Sequence, residues 1–271
     1  MNELHSEKIN NATYARFQCE LVHEERSEFQ HIKIYRSSHY GNMLVLDGLC
    51  QTTANDAFIY HETVVNVPYC ALKEPAKRIL IIGGGDGAAL EYALRHESVE
   101  EAVMVEIDDA VVRVSKKYLP FGQAFDDPRA KLVIADGAKF VKDASQKGLY
   151  DIAIVDSSDI HTPAAVLYTE EFYSDLRDCL TPQGIIIHQT NLPDAHSPVA
   201  LQVSYAAVKK LYPFVTIGWL PVLSYGGLIS FVVGSFYDVT KPRREIFGKW
   251  YTPAMHQGFF AVPNYWNDYL K

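Results

Sequence analysis

The chain has 271 residues, of which 48% are hydrophobic and 21% are charged. This composition excludes wholesale disorder, and the length suits one large or two small domains that need neither disulfides nor a metal for stability. With 25 Lys plus Arg against 33 Asp plus Glu, the net charge of −8 argues against a protein that neutralises nucleic-acid phosphates and is compatible with a cationic small substrate.

The N-terminus and the cysteines indicate a cytoplasmic protein. The first residues, MNELHSEKINNATY, are polar and lack the apolar segment of a secretory signal. No apolar run approaches the roughly 20 residues of a membrane span. The four cysteines form no C-x-x-C pair, which excludes the common zinc and redox spacings. We therefore expect free thiols, no metal and no membrane partner.

Residues 1 to about 70 are predicted to form a small antiparallel β domain. Strands are expected over residues 30–36 and 42–47, with a further strand within residues 20–28. Turn residues stand on either side of the second of these strands, including Asp47-Gly48.

Residues 71–271 alternate strand and helix patterns. Alternation of this kind predicts an α/β domain with a doubly wound, mainly parallel Rossmann-like sheet. The predicted strands span residues 78–82, 102–107, 131–135, 151–155, 184–188, 214–220 and 228–233. The predicted helices span residues 88–95, 108–118, 169–180 and 199–211.

A glycine-rich turn, Gly83-Gly84-Gly85-Asp86-Gly87, follows the first strand of this sheet. Such turns bind ligands, although the glycines alone also fit a tight turn without a ligand and do not distinguish between adenosine cofactors. Asp86 argues against a dinucleotide, because its carboxylate would face two negative phosphates at close range. The same carboxylate favours a ligand with a cationic amine.

Acidic residues also follow the next two strands. Glu106 lies 23 residues after Gly83, where an acid binds ribose hydroxyls, and Asp136 is placed to accept a hydrogen bond from an adenine amino group. Either residue alone would be interpreted as a cap of a helix or loop. Together they predict an adenosine held without phosphates, as in an S-adenosyl sulfonium compound.

Asp156 and Asp159 flank two serines after the fourth strand. A primary amine is protonated at pH 7, since its pKa is near that of Lys, about 10.4, and a buried carboxylate can accept its proton as a general base. The two acids could instead cap the following loop, but their place on the same sheet edge as the glycine turn favours a function. Tyr60, by its helical spacing, could be a core residue, and His61 alone would be interpreted as structural.

The assembled motifs closely resemble those of the polyamine aminopropyltransferase family, in particular its spermidine synthases. The resemblance covers nearly the whole chain from about residue 30. The matching segments are YGNMLVLDGLCQTT at 40–53, FIYHE at 58–62, RILIIGGGDGAAL at 78–90, VEID at 105–108, VSKKYLP at 114–120, KLVIADG at 131–137, DIAIVDSSD at 151–159, LYTEEFY at 167–173 and WYTPAMHQGFFAVPNY at 250–265.

The resemblance implies transfer of an aminopropyl group from the co-substrate decarboxylated S-adenosylmethionine to putrescine, which gives spermidine and 5′-methylthioadenosine. It implies a methyltransferase-type sheet, no permanently bound cofactor, and a homodimer or homotetramer that uses the small N-terminal sheet. By the match, Asp156 accepts the proton and Tyr60 orients the amine. The implied co-substrate contacts are Gln30, Asp86, Glu106, Asp136, Gly137 and Pro163. The implied polyamine contacts are His61, Asp86, Asp156, Asp159, Gln189 and Tyr225.

The chain departs from the family pattern near the acceptor amine. Residues 160–163 replace a segment that usually holds a Gly-Pro pair, and Ala57 replaces an acid. Ser224 stands at the position of an acceptor-wall tyrosine, although Tyr225 remains. Asn191 stands where an acid is sometimes found. Cadaverine and agmatine therefore stay open as alternative acceptors.

Two functions of other classes also stay open. A small-molecule methyltransferase would bind intact S-adenosylmethionine, whose carboxylate Asp86 would repel. A non-catalytic polyamine-binding protein would fit the altered acceptor wall, but Asp86 and Asp156 argue against it. The basic residues 241–244 are expected to form a solvated turn rather than a nucleic-acid site.

Overall fold

The computed structural model describes residues 3–9, 13–158, 160, 163–191, 198–268 and 270. These residues form a five-stranded antiparallel sheet, called the small sheet below, and a seven-stranded mixed sheet, called the large sheet. The predicted combination of an N-terminal β domain and a Rossmann-like α/β domain is confirmed. None of the helices within these ranges is both long and apolar enough to cross a membrane.

The small sheet contains strands in simple chain order, because each is joined to the next by a short turn or loop. Its turn at Asp47-Gly48 has left-handed φ angles of +49° and +88°, as expected for a hairpin of this sequence. Its strands are β1 (Glu3–Lys8), β2 (Tyr14–Arg26), β3 (His31–Ser37), β4 (Gly41–Leu46) and β5 (Leu49–Thr53).

The strands of the large sheet are β6 (Arg78–Gly83), β7 (Glu101–Glu106), β8 (Ala130–Ile134), β9 (Tyr150–Asp156), β10 (Leu180–Gln189), β11 (Phe214–Val222) and β12 (Gly227–Ser235). Their order is β11-β12-β10-β9-β6-β7-β8, and β10, β9, β6, β7 and β8 run parallel. The inner parallel strands β6, β7 and β9 are mostly apolar, since helices cover both faces of the sheet there.

Seven α-helices lie within the described residues. They are α1 (Ala57–Ala71), α2 (Ala88–Leu94), α3 (Asp109–Tyr118), α4 (Gly137–Phe140), α5 (Glu170–Cys179), α6 (Val199–Lys209) and α7 (Pro253–Phe259). Short 3-10 helices span Gly122–Asp126, Ala144–Gln146, Pro163–Tyr168, Leu223–Tyr225 and Asn264–Asp268.

Helix α1 shows that the region before residue 70 is not all β. Nearly every residue of α1 is buried, so the segment has no polar face to reveal its helical period. It packs on the large sheet, although it lies N-terminal to the domain boundary predicted near residue 70. The predicted solvated turn at residues 241–244 has a structural role here, because Arg244 donates hydrogen bonds to the Tyr69 and Leu72 carbonyls near the end of α1.

The small sheet is attached to the start of α3. Ile32, Ile34 and Leu44 pack against the apolar face of α3. Asp108 caps this helix by accepting a hydrogen bond from the Ala110 amide. Its other oxygen accepts hydrogen bonds from the side chains of Ser27 and Gln30, which lie between β2 and β3. This attachment places the small sheet over the carboxyl edge of the large sheet, where its parallel strands end.

Candidate active site

The glycine turn brings the ends of β6 and β9 into direct contact. The Gly84 amide donates a 2.9 Å hydrogen bond to the Asp156 carbonyl. Gly83 has φ +84°, and a Cβ atom there would lie 2.2 Å from that same carbonyl oxygen. Glycine at 83 is therefore required both by the left-handed backbone and by the space between the strands. The turn in this way sets Asp86 and Asp156 beside each other.

Asp86 is held at the start of α2. Its Oδ1 accepts a 2.8 Å hydrogen bond from the Ala88 amide, and its side chain is almost buried. The Asp86 Oδ2 lies 3.6 Å from Nε2 of His61, which is buried on α1. The carboxylate is thus fixed by a backbone donor on one side and an imidazole on the other.

Asp156 and Tyr60 form a hydrogen-bonded pair. The Tyr60 hydroxyl donates to Asp156 Oδ1 at 2.7 Å. Removal from solvent raises the pKa of Asp156 to about 6. Nearby His61 lowers this pKa, the Asp86 carboxylate raises it, and the hydrogen bond from Tyr60 lowers it. Burial and the adjacent carboxylate raise the pKa of Tyr60 well above its usual value, so Tyr60 remains a donor. Asp156 can therefore serve as a base near neutral pH.

Glu106 lies at the end of β7 against the glycine turn. Its two oxygens accept hydrogen bonds from the Gly85 amide at 3.2 Å and the Asp108 amide at 2.9 Å. Burial raises the pKa of Glu106 to about 7, against the effect of these amides. A Cβ atom on Gly85 would lie 2.8 Å from Glu106 Oε2, so glycine is needed for this approach.

Asp136 and Gln30 make structural hydrogen bonds and, with Gly137, also lie in the wall of a cavity. Asp136 caps α4 by accepting hydrogen bonds from the Ala138 and Lys139 amides, as the simpler interpretation of this residue expects. Gln30 Nε2 donates to Asp108 Oδ2 at 2.8 Å. All three residues nevertheless line the same cavity as Glu106, so capping and ligand contact are compatible.

This first cavity has a volume of about 230 Å³ and lies between the two sheets. Asp86 and Asp156 line it, as do Glu106 at the end of β7 and Asp136 and Gly137 just after β8. Its apolar walls include Leu44, Leu46, Ile107, Val166 and Leu167. The cavity thus combines acidic groups with apolar surface, which suits a nucleoside that carries positive charge.

A second cavity of about 280 Å³ adjoins the first. Tyr60, Gln189 and Tyr225 line it, together with Asn191. Both cavities are lined by Asp156, and they also share Leu49, Gln51, Ser157 and Ser158. Asp156 therefore stands where groups bound in the two cavities would meet.

Two predicted acceptor residues also support the second cavity's walls. The Tyr225 hydroxyl donates to the Gln51 carbonyl at 2.6 Å. Gln189 donates from Nε2 to the Ser157 carbonyl and accepts a hydrogen bond from the Asn191 amide. Asn191 has a left-handed φ of +61°.

Three other predicted residues are not placed in these cavities by the described part of the chain. His61 lies behind Asp86 and lines neither cavity. Asp159 falls outside the described residues, and Pro163 begins a 3-10 helix. Ser224, which stands at the position of an acceptor-wall tyrosine in the family pattern, hydrogen bonds through its hydroxyl to Asp56 at 3.0 Å and lines neither cavity.

Sequence reasoning did not single out the residues that β1 and β5 contribute to the second cavity, which include Glu7, Lys8, Cys50 and Gln51. Glu7 Oε2 accepts a 3.0 Å hydrogen bond from the Cys50 amide, which joins β1 to β5. The polar strand ELHSEK gave no apolar signal, although its alternation could have suggested a strand. In the described ranges, no group of three His, Cys, Asp or Glu residues is arranged to hold a metal.

Comparisons with known proteins agree with this geometry. Residues 57–241 match the spermine/spermidine synthase domain, and residues 7–54 match the spermidine synthase tetramerisation domain. A polyamine aminopropyltransferase of a Thermoanaerobacter species is 41% identical over 253 residues, covering 90% of this chain and 89% of the relative. That of Bacillus mycoides is 36% identical over 257 residues, covering 92% of both chains.

Two solved structures are similar over almost the full chain. A spermidine synthase in complex with the transition-state analogue AdoDATO has a TM-score of 0.91 and 31% identity. Spermidine synthase from Thermotoga maritima has a TM-score of 0.89 and 32% identity. In each case, 99% of this chain and 94% of the other are covered.

Proposed function

Because the chain belongs to the spermine/spermidine synthase family of polyamine aminopropyltransferases, we propose that it transfers an aminopropyl group from decarboxylated S-adenosylmethionine to putrescine. The products are spermidine and 5′-methylthioadenosine. The observation that carries this proposal is the meeting of two cavities at Asp156. Two substrates bound there would present an amine and a sulfonium carbon to each other beside a carboxylate.

The first cavity is proposed to hold the co-substrate. Glu106 accepts hydrogen bonds from the ribose hydroxyls, and Asp136 with Gly137 holds the adenine. Asp86 binds the ammonium of the aminopropyl chain. The carboxylate of intact S-adenosylmethionine, which is attached to the carbon that bears this ammonium, would be repelled by Asp86. The enzyme therefore prefers the decarboxylated compound to intact S-adenosylmethionine. Gln30 and Pro163 remain proposed co-substrate contacts on the strength of the family match.

The reaction needs an amine in its neutral form. Asp156 is ionised at pH 7, since its pKa is about 6, and it takes the proton from the attacking ammonium. The nitrogen lone pair then forms the new N–C bond, the C–S bond breaks, and its electron pair stays on sulfur. Tyr60 holds the Asp156 carboxylate in place through Oδ1. The sulfonium already provides a good leaving group, so alignment of the two substrates supplies most of the remaining rate enhancement.

The second cavity is proposed to hold the diamine. Glu7 and Asp156 place two carboxylates in this cavity against one ammonium, that of Lys8, and this acidic excess favours a cationic ligand. Gln189 and Tyr225 are proposed polyamine contacts because they line it. His61 and Asp159 stay predictions from the family match. Putrescine is favoured over cadaverine and agmatine only by the resemblance to spermidine synthases.

Assembly is proposed to use the small sheet. Support comes from the match of residues 7–54 to a spermidine synthase tetramerisation domain. We propose a homodimer or homotetramer, which light scattering coupled to size-exclusion chromatography would distinguish from a monomer. The cytoplasmic location stays a prediction.

Release of 5′-methylthioadenosine from decarboxylated S-adenosylmethionine tests the proposal. Putrescine, cadaverine, agmatine and spermidine are supplied separately to the wild type, to Asp156→Asn and to Asp126→Asn as an exposed control. We expect release with putrescine, a loss of roughly 10²–10⁴-fold in Asp156→Asn, and no change in the control. Activity with only one of the other amines reassigns the acceptor and leaves the transferase proposal in place. Absence of release with every amine, from protein that still binds the co-substrate, overturns the transferase proposal and favours a polyamine-binding protein.

A further inference from the structure

Strand β1 contributes a buried carboxylate to the second cavity. Along this strand, Leu4, Ser6 and Lys8 are exposed, whereas His5 and Glu7 are buried. The alternation is that of a strand with one face toward the protein interior. Glu7 lines the second cavity and not the first, and only 7% of its surface is exposed. Because little water screens a charge in such a place, it interacts strongly with a bound ligand.

The carboxylate of Glu7 is held by the neighbouring strand β5. Its Oε2 accepts a 3.0 Å hydrogen bond from the Cys50 amide. A carboxylate can accept several hydrogen bonds at once, so this contact is compatible with a bound ammonium. His5, the other buried residue on this face of β1, has a pKa that burial lowers. Its ring is therefore neutral near pH 7 and does not repel a bound cation.

A continuous wall joins Glu7 to Asp156. The Tyr60 hydroxyl donates to Asp156, and the rings of Tyr60 and Tyr225 meet edge to face with their centres 6.1 Å apart. The Tyr225 hydroxyl in turn donates to the carbonyl of Gln51 on β5, the strand that also holds Glu7. All of these residues line the second cavity. An amine that reacts beside Asp156 can therefore extend along the two tyrosines toward Glu7.

On the basis of the proposed function, we propose that Glu7 determines the choice of acceptor by binding its second ammonium. One amine of the diamine lies at Asp156, which both cavities share, and the other lies at Glu7, which belongs to the second cavity alone. Lys8 lines the same cavity, but it is exposed, so water screens its charge more than that of Glu7. The site thus selects amines with a second positive charge over monoamines of the same chain length.

A pair of amines that differ in one charge tests this selection. Putrescine and n-butylamine have the same carbon chain, but butylamine lacks the second amine. Release of 5′-methylthioadenosine is measured with each at saturating decarboxylated S-adenosylmethionine. For the wild type, we expect kcat/KM to be higher for putrescine by roughly 10- to 100-fold, the range of a hydrogen bond to a charged group. If butylamine is not turned over, its Ki against putrescine enters the same comparison. If another diamine is the acceptor, the monoamine of its own chain length replaces butylamine.

Glu7→Gln keeps the shape of the side chain and an oxygen for the Cys50 amide, but it removes the charge. We expect KM for putrescine to rise by roughly 10- to 100-fold, while the values for butylamine and the KM for decarboxylated S-adenosylmethionine stay nearly unchanged. Glu20→Gln, at an exposed position on β2, is the matched control and should keep the wild-type preference for the diamine. Damage to the fold would instead lower activity with both amines alike.

Three outcomes overturn the proposal and leave the transferase function standing. The wild type uses both amines equally well, or Glu7→Gln prefers putrescine as strongly as the wild type does. In the third outcome, Glu7→Gln loses activity equally with both amines, which would give Glu7 a structural role through Cys50 alone. If the wild type releases no 5′-methylthioadenosine with any amine, the proposed function itself fails, and the assignment of Glu7 fails with it.

Discussion

At the scale of single residues, Asp156 combines partial removal from solvent with a hydrogen bond from Tyr60. Loss of water raises the carboxyl pKa, nearby His61 lowers it, Asp86 raises it, and the phenol donor lowers it. The balance at about 6 keeps the group ionised at pH 7 yet basic enough to take a proton. Tyr60 therefore contributes to the pH at which the proposed base becomes available, and it fixes the position of the carboxylate.

Tyr60→Phe tests this balance. Without the phenol donor, the pKa of Asp156 rises, so protonation disables the base at a higher pH than in the wild type. A hydrogen bond to a charged group contributes about 1.5–3 kcal/mol, which corresponds to a shift of about one to two pH units. The acidic limb of the kcat/KM profile should move upward by that amount. Tyr225→Phe, whose hydroxyl bonds to Gln51, should leave the limb in place. An unmoved limb in Tyr60→Phe would contradict the assignment.

Gly83 offers a steric test with an internal control. Gly83 and Gly148 both have left-handed φ angles, +84° and +70°, so alanine at either site costs about 1–2 kcal/mol of backbone strain. Only at Gly83 does the new Cβ meet the Asp156 carbonyl, whereas it meets nothing within 4 Å at Gly148. We expect Gly83→Ala to lower both the free energy of unfolding and the rate of 5′-methylthioadenosine release. Gly148→Ala should affect stability alone. Equal activities would show that the contact is unimportant.

The acidic residues at strand ends were predictable from sequence for a topological reason. Parallel strands end at one edge, so Asp86, Glu106 and Asp156 had to converge there once the alternation was recognised. Side-chain directions were not predictable. Ser224 turns to Asp56, and His61 lies behind Asp86, because contacts with distant segments decide those orientations.

At the scale of secondary-structure elements, the start of α3 joins the two sheets. Asp108 uses one oxygen to cap the helix and the other to accept hydrogen bonds from Ser27 and Gln30. One side chain thereby connects helix initiation to the placement of the small sheet. Removal of the Asp108 side chain should therefore destabilise the protein more than removal of a surface cap.

A comparison of Asp108→Ala with Asp143→Ala separates the contribution of helix capping from that of the contacts to the small sheet. Both residues cap a helix through the amide two positions later, but Asp143 caps an exposed 3-10 helix. Loss of a simple cap costs about 1 kcal/mol. We expect Asp108→Ala to lower the free energy of unfolding in urea by a further 1–3 kcal/mol or so, because Ser27 and Gln30 lose an ionised acceptor. Similar values for both variants would show that the contacts to the small sheet contribute little.

Elements with a clear period were predicted well, and elements without one were not. The strands and helices from β6 to α3 match the prediction to within a residue or two, since each alternates with a turn or cap. Helix α1 and strand β1 lacked such signals. The helix is buried on nearly every side, and the strand is mostly polar. Tertiary packing, rather than local pattern, determines both.

At the scale of the whole molecule, the first cavity exists only because the small sheet covers the large one. Gln30, Leu44 and Leu46 come from the small sheet and its loops, whereas Asp86, Glu106 and Asp156 come from the carboxyl edge of the large sheet. The apolar contact of Ile34 with the α3 side holds the two parts together. Stability of that contact should therefore influence ligand binding.

Ile34→Ala and Ile79→Ala form a matched pair, since both isoleucines are fully buried. Each variant should lose about 2–5 kcal/mol of stability through cavity formation. Ile79 lies at the start of β6, away from the carboxyl edge, so its variant should bind 5′-methylthioadenosine with a nearly normal Kd once folded. Ile34→Ala should bind it more weakly, because the wall formed by the small sheet is less well held. Equal Kd values in calorimetry would contradict this coupling.

The common wall at Asp156 also bears on how such enzymes diversify. Glu7, Asn191 and Tyr225 line the second cavity and not the first, and they come from three separate segments of the chain. Under the proposed function, substitutions at these positions would alter the choice of amine while the nucleoside is held as before. Lineages descended from one ancestor can thus explore new amines in single steps, each inheriting a working sulfonium chemistry.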